Sequence, residues 1–388
     1  MQNWEYKKLS DVANFRNGVA HEKEIEKEGQ FIVVNSKFVS SNGESKKYTN
    51  EFLSPLHKDE VVFVMSDVPK GKTLAKCFII DKENLYSLNQ RICAFSNIKT
   101  DLKFFYYYIN RNKYFLSFDN GENQTNLRKN DILNCPFPLP PLEEQKRIVK
   151  ILDEKFAMLE TVKENAKNNL QNAKDLFQSQ LTKAFSNTTW EKKRLGECGS
   201  FKNGMNFAST DTGYTIRSLG VGDFKNLYQI DDTEQLSEIS LKAAPSEDYL
   251  LKDGDIVFVR SNGNKELVGR CLLVYPKNIP TTYSGFCIRF RKDYEELDAD
   301  FLLHYMKAES SRKILNGKEG ANISNLNQKI LGDFEVPVPP LPEQKRIVEQ
   351  LDSLSEKVRS LEALYTKQLS NCDELKQAFL AKAFNGEL

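Results

Sequence analysis

Pro140-Pro141-Leu142-Glu143-Glu144-Gln145-Lys146-Arg147-Ile148-Val149 recurs as Pro339-Pro340-Leu341-Pro342-Glu343-Gln344-Lys345-Arg346-Ile347-Val348. This pair of decapeptides decides the architecture. Two consecutive prolines cannot lie inside a helix, because each lacks an amide hydrogen and its ring clashes with the preceding turn. Glutamates follow at once, where the positive end of a helix dipole favours them. Pro342 fits a first turn, where its missing N–H costs nothing. Neither segment then contains Gly or Pro until its end. In the second copy Ile347, Leu351, Leu354, Val358, Leu361, Tyr365, Gln368, Cys372, Leu375 and Phe379 follow a four–three spacing. In the first, Ile148, Leu152, Leu159, Val162, Ala166, Ala173 and Leu176 lie on the same seam, broken by Lys155, Asn169 and Gln180. This is a coiled-coil repeat. It predicts two helices of roughly 40 residues, each ~60 Å long.

Working outward, the duplication embraces the whole chain. Trp4-Glu5-Tyr6-Lys7-Lys8-Leu9 returns as Trp190-Glu191-Lys192-Lys193-Arg194-Leu195, and Phe15-Arg16-Asn17-Gly18 as Phe201-Lys202-Asn203-Gly204. Val61-Val62-Phe63-Val64 returns as Ile256-Val257-Phe258-Val259, and Leu181-Thr182-Lys183-Ala184-Phe185 as Leu380-Ala381-Lys382-Ala383-Phe384. Before each helix, short apolar runs alternate with polar turns. They predict strands at 31–35, 60–65, 75–80 and 91–95, then a helix over 102–118. In the second copy strands are expected at 214–219, 255–259, 269–275 and 286–290, with a helix starting near Asp300. The class is α+β (mixed α/β), with a head at 1–141, a long helix at 142–186, a second head at 187–340 and a second helix at 341–388. Connectivity makes any pairing of the helices antiparallel, with one head at each end about a pseudo-two-fold axis.

Composition bounds the function. The 388 residues are 40% hydrophobic and 28% charged, with a net charge of only +1, the balance of a soluble globular chain. No run is apolar enough to span a bilayer. The polar start lacks a signal peptide, and seven scattered cysteines without a Cys-x-x-Cys pair read as reduced thiols. Together these place the protein in the cytoplasm, away from membranes. Near-neutral charge fits a partner that supplies part of any electrostatic grip on nucleic acid.

The fragments that suggest catalysis fail on their own terms. Gly71-Lys72-Thr73 lacks the earlier glycine of a phosphate loop, and copy two has Ser261-Asn262-Gly263-Asn264-Lys265 instead. Asn134-Cys135-Pro136-Phe137 departs from the Asn-Pro-Pro-Phe of adenine methyltransferases at Cys135, and its mate is Asp333-Phe334-Glu335-Val336. His21, His57 and His304 stand apart from any metal-ligand spacing. No catalytic residue, metal or cofactor is assigned to this chain.

A two-headed ruler suits a ligand with two sites at fixed separation, and duplex DNA is one. Heads that differ in sequence would read an asymmetric, bipartite target with an unread gap. The order of parts, the paired Pro-Pro-Leu-(Glu/Pro)-Glu-Gln-Lys-Arg-Ile-Val motifs and the closing Ala-Phe-Asn-Gly-Glu-Leu resemble the specificity (S) subunit, HsdS, of type I restriction–modification systems. That resemblance covers the whole chain. It implies two target-recognition domains, each reading half of a split site. It also implies helices that dock methyltransferase (modification) subunits, two of them, which carry S-adenosylmethionine and methylate adenine N6. A restriction subunit with ATP-dependent nuclease activity can join such a complex. The competing reading is a double-headed protein adaptor that never touches DNA.

Base reading needs Arg, Lys, Asn or Gln able to reach a groove. The loop between the second and third strands offers Lys70 and Lys72, with Lys76 beyond, and in copy two Arg260, Asn262, Asn264 and Lys265, with Arg270 beyond. The bland alternative is a solvated hairpin. Lys37 and Arg217 complete the set, Arg217 in a strand that can face either way. Gly121–Leu127 and Gly320–Leu326 recur in register, read as turns with helix caps at Asn126 and Asn325. For partner docking the candidates are Gln145, Arg147, Ile148 and Leu152, and Gln344, Arg346, Ile347 and Leu351. The polar members are expected on exposed helix faces.

Overall fold

Val61–Val64 is buried along its whole length, and the period-2 geometry of a strand explains how. Val61 and Phe63 enter one core while Val62 and Val64 enter another on the opposite face. The computed structural model describes residues 4–187, 189–225, 229–264, 267–315 and 325–388. They form two compact units, 1–165 with 368–388, and 166–367, so each long helix contributes to both.

In the first unit an antiparallel sheet runs Asn14–Asn17, Ile92–Ser96, Val61–Val64, Cys77–Ile79. One face packs on a second sheet, in which Phe31–Val34 pairs in parallel with Tyr86–Leu88. The other face packs on the helix Leu102–Ile109 and on Ile148, Val149, Leu152 and Phe156 of the first long helix. The expected helix over 102–118 is two helices, Leu102–Ile109 and Lys113–Leu116. It breaks because Asn110 and Arg111 leave the helical path to serve the neighbouring strand. Asn110 Oδ1 accepts from Cys77 N at 3.1 Å, and Arg111 N, at φ 59°, donates to Ala75 O at 2.8 Å.

The second unit repeats the plan. Its sheet runs Gly199–Asn203, Cys287–Lys292, Asp255–Val259, Cys271–Val274, Gln229–Ile230. Ile256 and Phe258 face the helical core, and Val257 and Val259 the other. Here too the aromatic helix is broken, into Ala299–Lys307 and Glu309–Leu315.

The long helices span Leu142–Ala184 and Leu341–Phe384, 43 and 44 residues. They pack antiparallel within each unit. In the first, Lys163 Nζ meets Asp373 Oδ1 at 2.5 Å, and Arg147 Nη2 donates to Leu388 O at 2.6 Å. In the second, Leu181 shares a core with Ile347 and Leu351. The seam departs from strict heptads. Leu176, Leu361 and Leu375 are exposed, whereas Phe156, Leu181 and Ala383 are buried. An α-helix turns every 3.6 residues, so its buried stripe drifts off a 3.5-residue repeat. Lys155 and Asn169 are exposed, as the expected breaks imply, and Gln180 is half-buried; the neighbouring Phe156 and Leu181 are buried and Leu170 half-buried.

Candidate nucleic-acid interface

The loop 65–76 of the first unit is built around one carboxylate. Asp67 Oδ2 accepts from the backbone N–H of Thr73 at 2.6 Å and of Leu74 at 3.0 Å, while Oδ1 takes Val68 N at 2.9 Å. Burial pushes this carboxyl up, but the hydrogen bonds from Thr73, Leu74 and Val68 together hold it below its ordinary range. A Cβ on Gly71 would lie 2.1 Å from the Asp67 carboxylate, so only glycine fits there. The Thr73 and Leu74 amides thus already serve an internal anion, and Gly71 N donates to Val68 O at 2.9 Å, which argues against the phosphate-loop reading.

A second loop is fastened to the first. Ser66–Asp67 pairs antiparallel with Thr125–Asn126, Leu127 N donates to Met65 O at 2.8 Å, and Gln124 Nε2 donates to Ser66 Oγ at 2.8 Å. In the second unit Ser261 bridges Asn325, and Leu326 N donates to Arg260 O at 2.8 Å. Within the recurring Gly121–Leu127 and Gly320–Leu326 segments, Thr125–Asn126 is a pairing strand and Asn325 forms a bridge, while 121–123 bend as a turn does. Asn126 and Asn325 are not helix caps. The short helices start later, at Lys129 after Arg128 and at Gln328 after Asn327, whose side chain accepts from Ile330 N.

Lys70 and Lys72 are exposed on this paired surface, joined by exposed Asn123, Gln124 and Asn126 and by Arg128 and Lys129 just beyond. Lys70 sits at φ 55°, its stem against Gly121. In the second unit Arg260 and Asn262 are half-buried and Asn264 is exposed. Asn262 Oδ1 accepts from Asn264 N at 2.8 Å, which folds the loop tip. Lys265 lies outside the described residues, as do 316–324. Arg270 is half-buried at the far side of the loop, its carbonyl accepting from Val259 N.

Three further candidates lie elsewhere or are engaged internally. Arg217 is half-buried: it donates to Leu236 O at 2.7 Å and pairs with Glu238 on the neighbouring strand at 3.2 Å. Lys76 is half-buried, its Nζ bound to Ser40 O at 3.3 Å and its pKa pulled down, by burial first. Lys37 is exposed, but on the separate short helix Ser36–Ser40. The docking candidates change most. Gln145 and Gln344 are 3% and 0% exposed, and each ties its helix to its own head. Gln145 Oε1 accepts from Asp101 N, and its Nε2 donates to Pro140 O, both at 2.8 Å. Gln344 Oε1 accepts from Asp298 N at 2.8 Å, and its Nε2 donates to Pro339 O and Glu296 O at 2.7 Å. Asp101 and Asp298 in turn cap the aromatic helices. Ile148, Leu152, Ile347 and Leu351 are buried in the head cores, which leaves only Arg147 and Arg346 of that set on the outside, paired with Glu144 and Glu343.

Sequence reasoning missed Arg91 and Phe286, which sit opposite Met65 and Arg260 where the loops leave the sheet. The signal was the positional match of the two residues at the start of corresponding strands. Among the described residues no group of His, Cys, Asp and Glu is arranged to hold a metal, and no helix is long and apolar enough to cross a membrane.

Residues 1–172 and 187–369 each match the family model of the type I restriction modification DNA specificity domain. The chain belongs to this family. A specificity-family relative, the StySPI specificity subunit of Salmonella potsdam, is 30% identical over 70% of the chain and 62% of its own length. The matched stretch thus spans less than two thirds of that relative, and likewise of the EcoKI specificity subunit of Escherichia coli K12, at 26% identity. The MjaVIII specificity subunit of Methanocaldococcus jannaschii is 22% identical over all of this chain and 93% of its own. Among solved structures, a chain from a study of complex assembly and conformational transition of the type I R-M system shares the fold. Its TM-score is 0.75 at 18% identity, covering 100% and 99% of the two chains. The HsdS subunit of Thermoanaerobacter tengcongensis follows at TM-score 0.55, 19% identity and 100% and 98% coverage. At these identities the structural likeness speaks for the fold alone.

Proposed function

We propose that this chain is the non-catalytic DNA-specificity subunit of a type I restriction–modification complex, each head reading one half of an asymmetric bipartite site. The observation that carries the reading is a duplicated loop end. The same backbone pairing recurs in both heads, through Ser66 with Asn126 and Ser261 with Asn325, yet the exposed side chains around it differ. A shared frame with different polar groups suits two half-sites of different sequence. The long helices fix the separation of the heads and offer docking surfaces to two methyltransferase subunits. Those partners bind S-adenosylmethionine and methylate adenine at N6, and a restriction subunit adds ATP-dependent cleavage. The complex works on chromosomal DNA in the cytoplasm.

The test is to map N6-methyladenine in cells expressing the chain with its neighbouring methyltransferase, with and without this gene. A gapped, asymmetric motif should vanish on deletion. Exchanging residues 1–139 for another head should change one half of the motif. An unchanged methylome, with both proteins expressed and assembled, overturns the DNA-reading function in favour of a protein adaptor.

A further inference from the structure

At the loop end of each head the last cross-strand pair has one arginine and one apolar side chain, in exchanged positions. The ladder of the first head registers Ile92 with Val64. One step further Met65 N donates to Arg91 O at 3.0 Å. In the second head Val259 registers with Cys287, and the next step has Arg260 N donating to Phe286 O at 2.8 Å. The carbonyls of Met65 and Arg260 receive Leu127 N and Leu326 N in the same way. The two corners therefore share one hydrogen-bond pattern, although Arg91 is left-handed at φ 65° and Phe286 is not. Met65 stands where Arg260 stands, and Arg91 where Phe286 stands.

Arg91 and Phe286 are displayed to solvent, while Met65 packs its inner side against the core of the first head. Arg91 is exposed and Phe286 is 59% exposed, with Met65 and Arg260 half-buried beside them. The ion pairs of the described residues engage Arg16, Arg147, Arg217, Arg291 and Arg346, and leave Arg91 and Arg260 out. Arg91 is held at φ 65°, a left-handed conformation uncommon for residues other than glycine. Close approach of a neighbouring strand fixes the same corner in both heads. A Cβ on Gly18 would lie 2.0 Å from Asn89 O, and one on Gly204 2.1 Å from Ser284 O. Each pair is thus a rigidly supported fork of donors next to an apolar patch.

The major groove offers a partner for both halves of such a pair. An arginine takes the O6 and N7 of guanine in a bidentate contact, and an apolar side chain packs on the thymine methyl. Resting on the DNA-reading function above, we infer that Met65/Arg91 and Arg260/Phe286 are base-reading pairs. In each, the arginine takes a guanine edge and its neighbour an adjacent thymine methyl. Exchange of the two residues reverses the order in which the heads present fork and patch, and so contributes to the difference between the half-sites.

The experiment uses the full chain assembled with its methyltransferase subunits. Wild type, Arg91→Lys, Arg91→Gln, Arg260→Lys and Phe286→Ala are compared by N6-methyladenine motif and by binding to duplexes carrying single base-pair changes. Arg91→Lys keeps the charge and loses the fork. It should reduce discrimination at one G·C position of the first half-site by about five- to hundred-fold. The second half-site and the salt dependence should be unchanged. Arg91→Gln, run in parallel, covers intolerance of lysine at this backbone conformation. Arg260→Lys and Phe286→Ala should relax one G·C and one A·T position of the second half-site only. If the arginine variants weaken all duplexes equally and Arg91→Gln lowers the salt slope by about one, these residues are phosphate contacts and the inference falls. An unchanged motif in every variant also overturns it. A wild-type complex without any gapped motif would instead sink the function on which it rests.

Discussion

The helix end and the loop end of each head follow opposite rules. At the helix end the two copies agree down to single hydrogen bonds. Gln145 and Gln344 hold the same two backbone groups, a helix-capping aspartate amide and a proline carbonyl. Phe384 packs edge-on against Phe104 in the first unit, as Phe185 does against Phe301 in the second. At the loop end only the hydrogen-bond frame agrees, and where the first head has Met65 and Arg91 the second has Arg260 and Phe286. A frame that must hold a helix tolerates few side chains, because every buried polar group needs its partner. A surface that meets an outside ligand tolerates many.

The comparison breaks first at the aromatic joints. Phe104→Ala and Phe301→Ala each remove a fully buried ring and should cost about 3–5 kcal/mol, measured by chemical denaturation. Equal losses in the two heads would show that the helix ends are energetically as well as geometrically alike. Next come Gln145→Leu and Gln344→Leu. They strand buried backbone groups at about 1–3 kcal/mol each, and the lower melting temperature should appear with the DNA motif unchanged. A changed motif would mean that the frame also reads.

At the loop end Asp67→Ala should cost about 1.5–3 kcal/mol as a charged acceptor is lost, with faster hydrogen exchange at Thr73 and Leu74 reporting local loosening. The pH dependence has a defined sign. The folded carboxyl is held below its ordinary value. Its contribution is therefore full above the unfolded pKa of about 3.9 and is lost as pH falls through the lower folded value. Loop protection should stay flat from neutral pH down to about 5 and drop only in more acid solution. Smallest of all, Arg147→Ala and Arg346→Ala remove exposed ion pairs and should change stability by about 0.5 kcal/mol or less. An effect on assembly with methyltransferase subunits, read by size-exclusion chromatography, would then isolate a docking role.

Sequence by itself determined the duplication, the two long helices, their starts at the double prolines and the main strands of both heads. These are local or periodic properties, written in residues a few positions apart. Asp67 and Gly71 also lie close together in sequence, yet their contact needs the turn that only the folded loop supplies. Tertiary structure alone decided that Gln145 and Gln344 turn inward, because their partners Asp101 and Asp298 lie more than forty residues away in the chain. It decided that the apolar stripe drifts to Phe156 and Leu181, since that path depends on the true helical pitch. And it placed Arg91 opposite Met65 and Phe286 opposite Arg260, because the register of a β-ladder is set by which strands meet, a relation that no stretch of sequence contains.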